Sequence, residues 1–423
     1  MLLAILAMKL QQKIFWLFLL LLPFQLGKHF WPNWSYVLGL RVDYFSPVIY
    51  LTDILVFALL ILWLVEEIKK ALLVKKNQRQ NKENLFLLGV IFLFLLVNVL
   101  LALNPGVGFL KLFKIIELFF LGWYISKHDY QLSFTYFPLA FAVIYSSLIA
   151  LIQFFTQSSL GGLFWWGGER TFNLATPGIA KAIFNGQLIL RPYGTFSHPN
   201  ALAGFILVVL ILFIAWQPKN IIAKNIKIWT YFLGIATIIL SFSRSAWVLG
   251  ILAIFYLIFK KIYKKRKQFL LVSFFFLLMS GALFFLLPRF STNEAFFQRS
   301  QLIKSAFLMV NNYPLAGVGL NNFIVRLPDY WSLVGFTYWL QPVHNFYLLV
   351  AAETGFTGII IFLWFLILTY RRLFKLSSPS SLFLTLGLTA ILLLSLNDHY
   401  WLTLQQNQLL LAIVFGFSWS KIN

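Results

Sequence analysis

Cysteine is absent from this chain, and with it go disulfides, thiolate metal sites and cysteine nucleophiles. Charge is scarce too: 11% of residues are charged and 61% are hydrophobic. A water-soluble globule carries about 25% charge, so the chain is not one. Acidic side chains are the scarcer kind, 12 against 34 Lys and Arg, which leaves a formal net charge of +22. Such a balance can mark a nucleic-acid binder. Here the basic runs are short loops between apolar segments, where they set topology and meet anionic headgroups. A nucleotide loop is missing as well. Gly317-Val318-Gly319 has no strand before it and no Lys-Ser/Thr after it, which leaves no visible means of using ATP. Long internal repeats and low-complexity tracts are also lacking.

What the chain does contain is a series of apolar runs. A helical membrane span needs about 20 mostly apolar residues. Candidates fall at roughly 5–26, 47–65, 85–103, 108–126, 134–156, 199–216, 228–242, 245–259, 268–287, 346–369, 380–397 and 402–419. The expected fold class is all-α, a polytopic membrane protein of about 12 transmembrane helices with a partly helical long outer loop. Its organisation reads as helices one to nine over 1–287 (with outer loop 157–198), a long loop or lid over 288–345, and helices ten to twelve over 346–423. After Lys9 and Lys13, the run Ile14–Leu22 passes into Pro23-Phe24-Gln25-Leu26 without a small-residue cleavage site, so it reads as a retained first span. The seventh and eighth spans are parted only by Ser243-Arg244 and suggest a tight hairpin or a re-entrant pair. This arrangement puts both termini, and the basic clusters within 69–82, 219–227, 260–267 and 371–375, on one side. The positive-inside rule names that side the cytoplasm.

Both outer loops exceed about 15 residues, a length that usually signals structure or function. The second has helix-forming stretches around Glu294–Asn312 and Asn321–Leu327, broken by Pro314, Gly317 and Gly319. Its aromatics (Tyr313, Tyr330, Trp331, Phe336, Tyr338 and Trp339) suit a headgroup-level surface or the faces of sugars. It reads as a small lid on the outer face.

The residues able to do chemistry gather on that outer side. Arg244 lies in Ser241-Phe242-Ser243-Arg244-Ser245-Ala246-Trp247. An arginine at mid-bilayer costs about 2.5–3.5 kcal/mol on insertion scales and usually marks function; snorkelling from the rim to headgroups is the plain alternative. Its planar fork suits bidentate capture of phosphate. Arg191 opens Arg191-Pro192-Tyr193-Gly194-Thr195-Phe196-Ser197-His198-Pro199-Asn200. Helix capping by Ser197 and Pro199 accounts for part of that run, but leaves Arg191 and His198 as candidates for anion contact. Arg299 and Lys304 start the long loop's first helix, where solvated surface charge is the ordinary explanation.

His344, in Pro342-Val343-His344-Asn345, stands where the tenth span begins, and its imidazole can take a proton near neutral pH. Glu353 follows within that span on the opposite helix face, which suggests pairing with a cation from another span. Asp53, Lys111, Lys114 and Glu117 are intramembrane ionisable residues, with Lys114 and Glu117 spaced to pair at i,i+3 and Lys111 placed to reach a lipid phosphate. Asp398-His399-Tyr400 fills the last outer turn. The histidines are dispersed and no carboxylate pair has ligand spacing, so neither a metal nor another cofactor is expected.

Four of these segments together resemble the O-antigen ligase and O-antigen polymerase family. They are Arg191–Asn200, Ser241–Trp247, the run Asn312-Tyr313-Pro314-Leu315-Ala316-Gly317-Val318-Gly319-Leu320-Asn321-Asn322-Phe323, and Val343-His344-Asn345 with Glu353-Thr354-Gly355. Their order and span context agree over roughly residues 185–365, and the remaining spans match in hydropathy alone. The resemblance implies a multi-pass glycosyltransferase of the bacterial inner membrane that works on its periplasmic face, so the long loop would be periplasmic. It also implies an undecaprenyl-pyrophosphate-linked glycan as donor, a glycan or lipid as acceptor, and inverting, metal-independent transfer in lipopolysaccharide or other cell-envelope polysaccharide biosynthesis. By the same resemblance His344 matches the family's general base, and Arg244 and Arg299 its pyrophosphate-binding arginines. Arg191 and Glu353 match recurring positions; His198, Lys111, Asp398 and His399 stand as supporting candidates. The rival readings are a flippase for lipid-linked oligosaccharide and a glycosyltransferase using Asp43 as a carboxylate base.

Overall fold

The computed structural model describes residues 9–73, 82–128, 130–262, 293–331, 340–376 and 378–421. The expected span 268–287, the aromatics Phe336, Tyr338 and Trp339, and the basic residues Lys75, Lys76, Arg79, Lys264, Lys265, Arg266 and Lys267 lie outside them. The described chain is mostly helical, and helices overlap every expected span that falls within it. Among the described residues three stretches are candidate membrane spans by length and apolarity: Leu132–Thr156, Ile221–Leu240 and Phe346–Lys375. Five more are apolar but shorter, namely Leu10–Leu20, Phe86–Leu100, Pro199–Ala215, Arg244–Leu257 and Ser380–Leu394. The expected number of crossings rests on apolar runs that these helices only partly fill.

In chain order the first helices are α1 (Leu10–Leu20), α2 (Leu51–Leu73), α3 (Lys82–Leu100), α4 (Pro105–Lys127), α5 (Tyr136–Thr156) and α6 (Pro199–Phe213). Helix α6 is the pillar of the bundle. It reads Pro-Asn-Ala-Leu-Ala-Gly followed by nine apolar residues and is buried on all sides from Ala201 to Phe213, as a helix apolar all round must be. Around it stand α5, α7 (Ile221–Leu240), α8 (Arg244–Ile262), α12 (Pro379–Leu394) and α14 (Gln405–Trp419). Its start is capped by His198, whose Nδ1 accepts the amide of Asn200 at 3.1 Å, with Pro199 in the first turn. Ser197, the expected cap, instead accepts a hydrogen bond from Gln25 Nε2 at 2.5 Å.

Helices α7 and α8 form a hairpin across the turn Ser241-Phe242-Ser243. Helix α7 begins at Ile221 rather than at 228. Asn220 caps it by accepting from Ala223 N at 2.8 Å, so Lys224 and Lys227 are helical rather than loop residues. A hydropathy run starts late wherever the first turns of a helix are amphipathic. In the turn, Phe242 adopts φ 52°, a left-handed conformation uncommon for a bulky side chain. Its ring is held among Phe154, Phe184 and Trp247.

The long loop contains α9 (Asn293–Asn312) and α10 (Phe323–Tyr330), and α11 (Phe346–Lys375) follows it. Helix α11 is broken at Gly355 (φ 65°, ψ −168°). The segment after α9 docks into the break: Val318 N donates to Ala352 O at 2.8 Å, Gly319 N to Glu353 O at 3.1 Å, and Phe356 N to Pro314 O at 2.7 Å. Asn98 of α3 fastens the junction, donating to Glu353 O at 3.1 Å and accepting from Leu320 N at 2.8 Å. A Cβ at Gly317 or Gly355 would collide with the facing backbone, and both residues have positive φ, so only glycine fits this seam.

A second core, separate from the bundle's, forms here. It joins Leu302, Ala306 and Met309 of α9 to Phe323, Ile324 and Leu327 of α10, and to Val37, Val42 and Phe45 of the segment between α1 and α2. That segment carries paired strands β1 (Gly27–His29) with β4 (Val48–Tyr50), and β2 (Tyr36–Val37) with β3 (Leu40–Arg41). A hairpin of β5 (Lys181–Phe184) and β6 (Gln187–Leu190) lies in loop 157–198. It turns on Asn185-Gly186, both at positive φ, the pair that a two-residue hairpin turn favours.

Candidate functional site

The site is assembled where three chain connections meet the top of α6. The start of α11 is stitched to the turn after α12: Phe346 N donates to Ser395 O at 2.9 Å and Asn345 Nδ2 to Leu396 O at 2.9 Å. Asn345 also caps α11, accepting from Leu348 N at 2.9 Å. This stitching brings His344 to the turn that follows α12, with its Nδ1 3.4 Å from Asp398 Oδ1. That distance is long for a hydrogen bond. Asp398 and His399 are buried at 7% and 4% exposure, and α13 (Tyr400–Thr403) follows them.

Asp398 has more than one partner. Its Oδ1 accepts the His399 backbone amide at 2.9 Å, and its Oδ2 accepts from Asn200 Nδ2 at 3.1 Å. Asn200 in turn accepts from Arg191 through its Oδ1 at 2.5 Å. Arg191 is tied to the α7–α8 turn, donating from Nε to Ser241 O at 2.7 Å. A continuous chain of contacts therefore runs from the turn that precedes Arg244, through Arg191, Asn200 and Asp398, to His344. Arg299, exposed on α9, and Arg244, the first residue of α8, both lie close enough to Arg191 for their charges to act on it.

The electrostatics follow from burial and from this crowd of cations. Burial pushes the Arg191 guanidinium down to about 10, helped by the fields of Arg299 and Arg244 and opposed by Tyr193 and Asp398. His198 is pushed down to about 3, first by burial and then by Arg191, His344 and Arg299, against the pull of Asp398. His399 is likewise pushed down to about 3 by burial, with Asp398 again opposing. Burial alone would raise the Asp398 carboxyl, but the hydrogen bond with His344 and the positive influence of His344, His399 and His198 hold it well below the usual carboxylate range. Asp398 is thus a carboxylate, and His198 and His399 are neutral at neutral pH.

Of the residues singled out in the sequence, Arg191, His198, Arg244, Arg299, His344, Asp398 and His399 come together. Lys111 lies behind them, near enough for its charge to act on His399, and Glu353 is its partner rather than theirs. Lys111 does not reach a lipid phosphate: it is buried at 8% exposure and donates to Leu402 O, because α4 packs against α14 and encloses it. Its charged neighbour is Glu353, whose carboxylate takes the backbone amides of Asn321 and Phe323 and so pins the start of α10 to α11. Asp43, the rival base, is a surface residue 3.9 Å from Arg41.

Sequence reasoning missed two members. Asn200 is the one polar side chain in the first turn of a helix otherwise apolar, a signal that could have exposed it. Tyr44, whose ring meets His399 at 5.7 Å, gives no such signal. Sequence spacing also hid a group of metal-ligand type: donor atoms of His344, Asp398 and His399 lie within 4.8 Å of one another. His399 Nδ1 meets Thr403 Oγ1 at 2.7 Å, which leaves Nε2 on the side of Asp398, 4.0 Å from Oδ1. The charges of Arg191, Arg244 and Arg299 nearby oppose a cation there.

Residues 229–363 match the family model described as O-antigen ligase, which takes in Arg244, Arg299, His344 and Glu353. That match supports a likeness to the O-antigen ligase family. The match, with the apolar helices, points to an enzyme of the glycosyltransferase kind seated in a membrane. Arg191, Asn200, Asp398 and His399 lie outside the matched stretch, so the site draws on helices on both sides of the domain. A search of the curated proteins finds no match.

Proposed function

We propose that this protein transfers a glycan from undecaprenyl pyrophosphate to an acceptor glycan or lipid at the periplasmic face of the bacterial inner membrane. The observation that carries the reading is the meeting of Arg191, Arg244 and Arg299 with the His344–Asp398 pair. Pyrophosphate is already a good leaving group. The arginines neutralise the negative charge that grows on it as the anomeric C–O bond breaks, a role in which preorganised donors act strongly. Asp398 holds one face of the imidazole through Nδ1 and leaves Nε2 to take the acceptor hydroxyl's proton. The acceptor oxygen then attacks opposite the departing pyrophosphate, and the configuration at the anomeric carbon inverts. Arginine keeps its proton throughout, so charge neutralisation and proton transfer are divided between different side chains.

The test is direct. Purified protein is mixed with a defined undecaprenyl-pyrophosphate oligosaccharide and an acceptor, without added metal or nucleotide. New glycosidic bonds are expected; movement of the lipid between leaflets with no new bond would make it a flippase instead. A second reading has one observation behind it, the closeness of the His344, Asp398 and His399 donor atoms. If these bind a divalent cation, chelation should abolish transfer and one metal should restore it.

A further inference from the structure

Resting on that reading of the site, we propose that Asn200 is a positioning residue, a neutral spacer that keeps Arg191 and Asp398 from neutralising each other. Arg191 is the cation that the hydrogen-bond network brings nearest to the only carboxylate in this described cluster, and each lies within the other's field. A direct pair between them would be the ordinary outcome, since an arginine fork matches a carboxylate in two places. Asn200 occupies the place where that pair would form. Its amide oxygen accepts from Arg191 at 2.5 Å and its amide nitrogen donates to Asp398 Oδ2 at 3.1 Å. The amide offers an acceptor to one side and a donor to the other with no net charge at any ordinary pH.

The location suits the task. Asn200 is fixed at the start of the buried helix α6, with its own backbone amide held by His198. Asp398 is fixed on the opposite side by His344 and the His399 amide. Holding the two apart has two consequences. Arg191 keeps its positive charge for an anionic ligand, and Asp398 stays aimed at His344. A single uncharged residue therefore links the proposed anion-binding half of the site to its proposed proton-accepting half.

A charge exchange separates this role from simple packing. The double variant Asn200→Asp/Asp398→Asn keeps the side-chain volumes and leaves every hydrogen-bonding position filled. It moves the carboxylate onto Arg191 and the amide onto His344. Full-length wild type, Asn200→Asp and the exchanged double variant would be compared for binding of undecaprenyl pyrophosphate in nanodiscs, melting temperature, and transfer. We expect Asn200→Asp to weaken lipid binding at least tenfold. The exchange should melt like wild type, yet still bind at least tenfold more weakly and transfer at least a hundredfold more slowly. A merely structural Asn200 predicts the opposite for binding: the exchange would restore it to within twofold of wild type, and that result overturns the proposal, whereas transfer falls in either case because Asp398→Asn takes the carboxylate from His344. Wild-type binding by Asn200→Asp would overturn it as well. Should the added carboxylate prevent folding, Asn200→Ala decides by the same binding measurement, with at least tenfold weakening expected and unchanged binding fatal. Wild-type protein that binds the lipid but forms no glycosidic bond defeats the transfer reading alone, because the binding comparison still judges the spacer. Wild-type protein that does not bind the lipid defeats both.

Discussion

Two groups of ionisable side chains stand in this apolar chain, one between α2, α4 and α14 and one at the top of α6, and they are wired in opposite ways. In the first, Lys114 reaches Asp53 at 2.9 Å and Glu117 at 2.7 Å. Gln405 donates to Asp53 as well, and Tyr50 N caps it at 3.0 Å. Cation and carboxylates are in direct contact, and the network faces inward. In the second, three guanidinium groups share their surroundings with one carboxylate, and an amide stands between that carboxylate and the nearest arginine. The first group pairs its charges to hold helices together; in the second the guanidinium groups outnumber the carboxylate, the feature on which the proposed anion binding rests. Charge within a membrane protein is therefore a weak sign of function until its partners are known.

The comparison can be broken or sharpened experimentally. His344→Ala should lower transfer by about 10²–10⁴-fold, the usual worth of a general base, with lipid binding and melting temperature unchanged. Transfer at the wild-type rate would remove the imidazole from the mechanism. Lys114→Ala should do the reverse. It leaves two carboxylates buried without their cation, a loss of about 3–5 kcal/mol, so folded yield and melting temperature should fall while turnover per folded molecule stays the same. If the folded fraction were inactive, the inner group would be part of the site after all.

Arg244→Lys retains charge but loses the fork. A charge-assisted contact is worth about 1.5–3 kcal/mol, so transfer should drop roughly ten- to a hundredfold with normal membrane insertion, as steady-state kinetics would show. The smallest effect concerns pH. His399 is held near 3 in the fold against an ordinary value of 6.5, so below 6.5 the unfolded chain takes the proton first. Stability is then full above pH 6.5 and is lost as pH falls toward 3. At pH 5 the loss is about 1–2 kcal/mol. Asp398, also held low, acts in the same direction at lower pH. Melting curves at pH 7 and 5 should differ less in His399→Asn than in wild type.

Much of the helical layout was legible because hydropathy is a local property: α5, α6 and α12 begin and end close to their apolar runs. Legibility failed where polar residues begin a helix, as at Lys224 and Lys227 of α7. It failed too in the segment from Gly27 to Tyr50, whose short strands and turns carry no long period. Among site residues, an arginine or histidine beside an apolar run stood out by type alone. Asn200 did not, since an asparagine near a helix start is ordinary capping chemistry.

The sequence by itself determined that the chain is a membrane protein and which chemically able residue types were available to it. It also carried the Arg244, Arg299 and His344 segments that the matched domain takes in. Only the tertiary structure decided which of those residues meet. His344 and Asp398 are 54 positions apart, and Asn200 and Asp398 are 198 apart. Lys111 and Glu353 looked equally eligible until the packing of α4 against α14 enclosed the lysine. Hydropathy acts on each residue where it stands in the chain. A hydrogen bond needs two groups within about 3 Å, and that distance is fixed by the folding of the whole bundle.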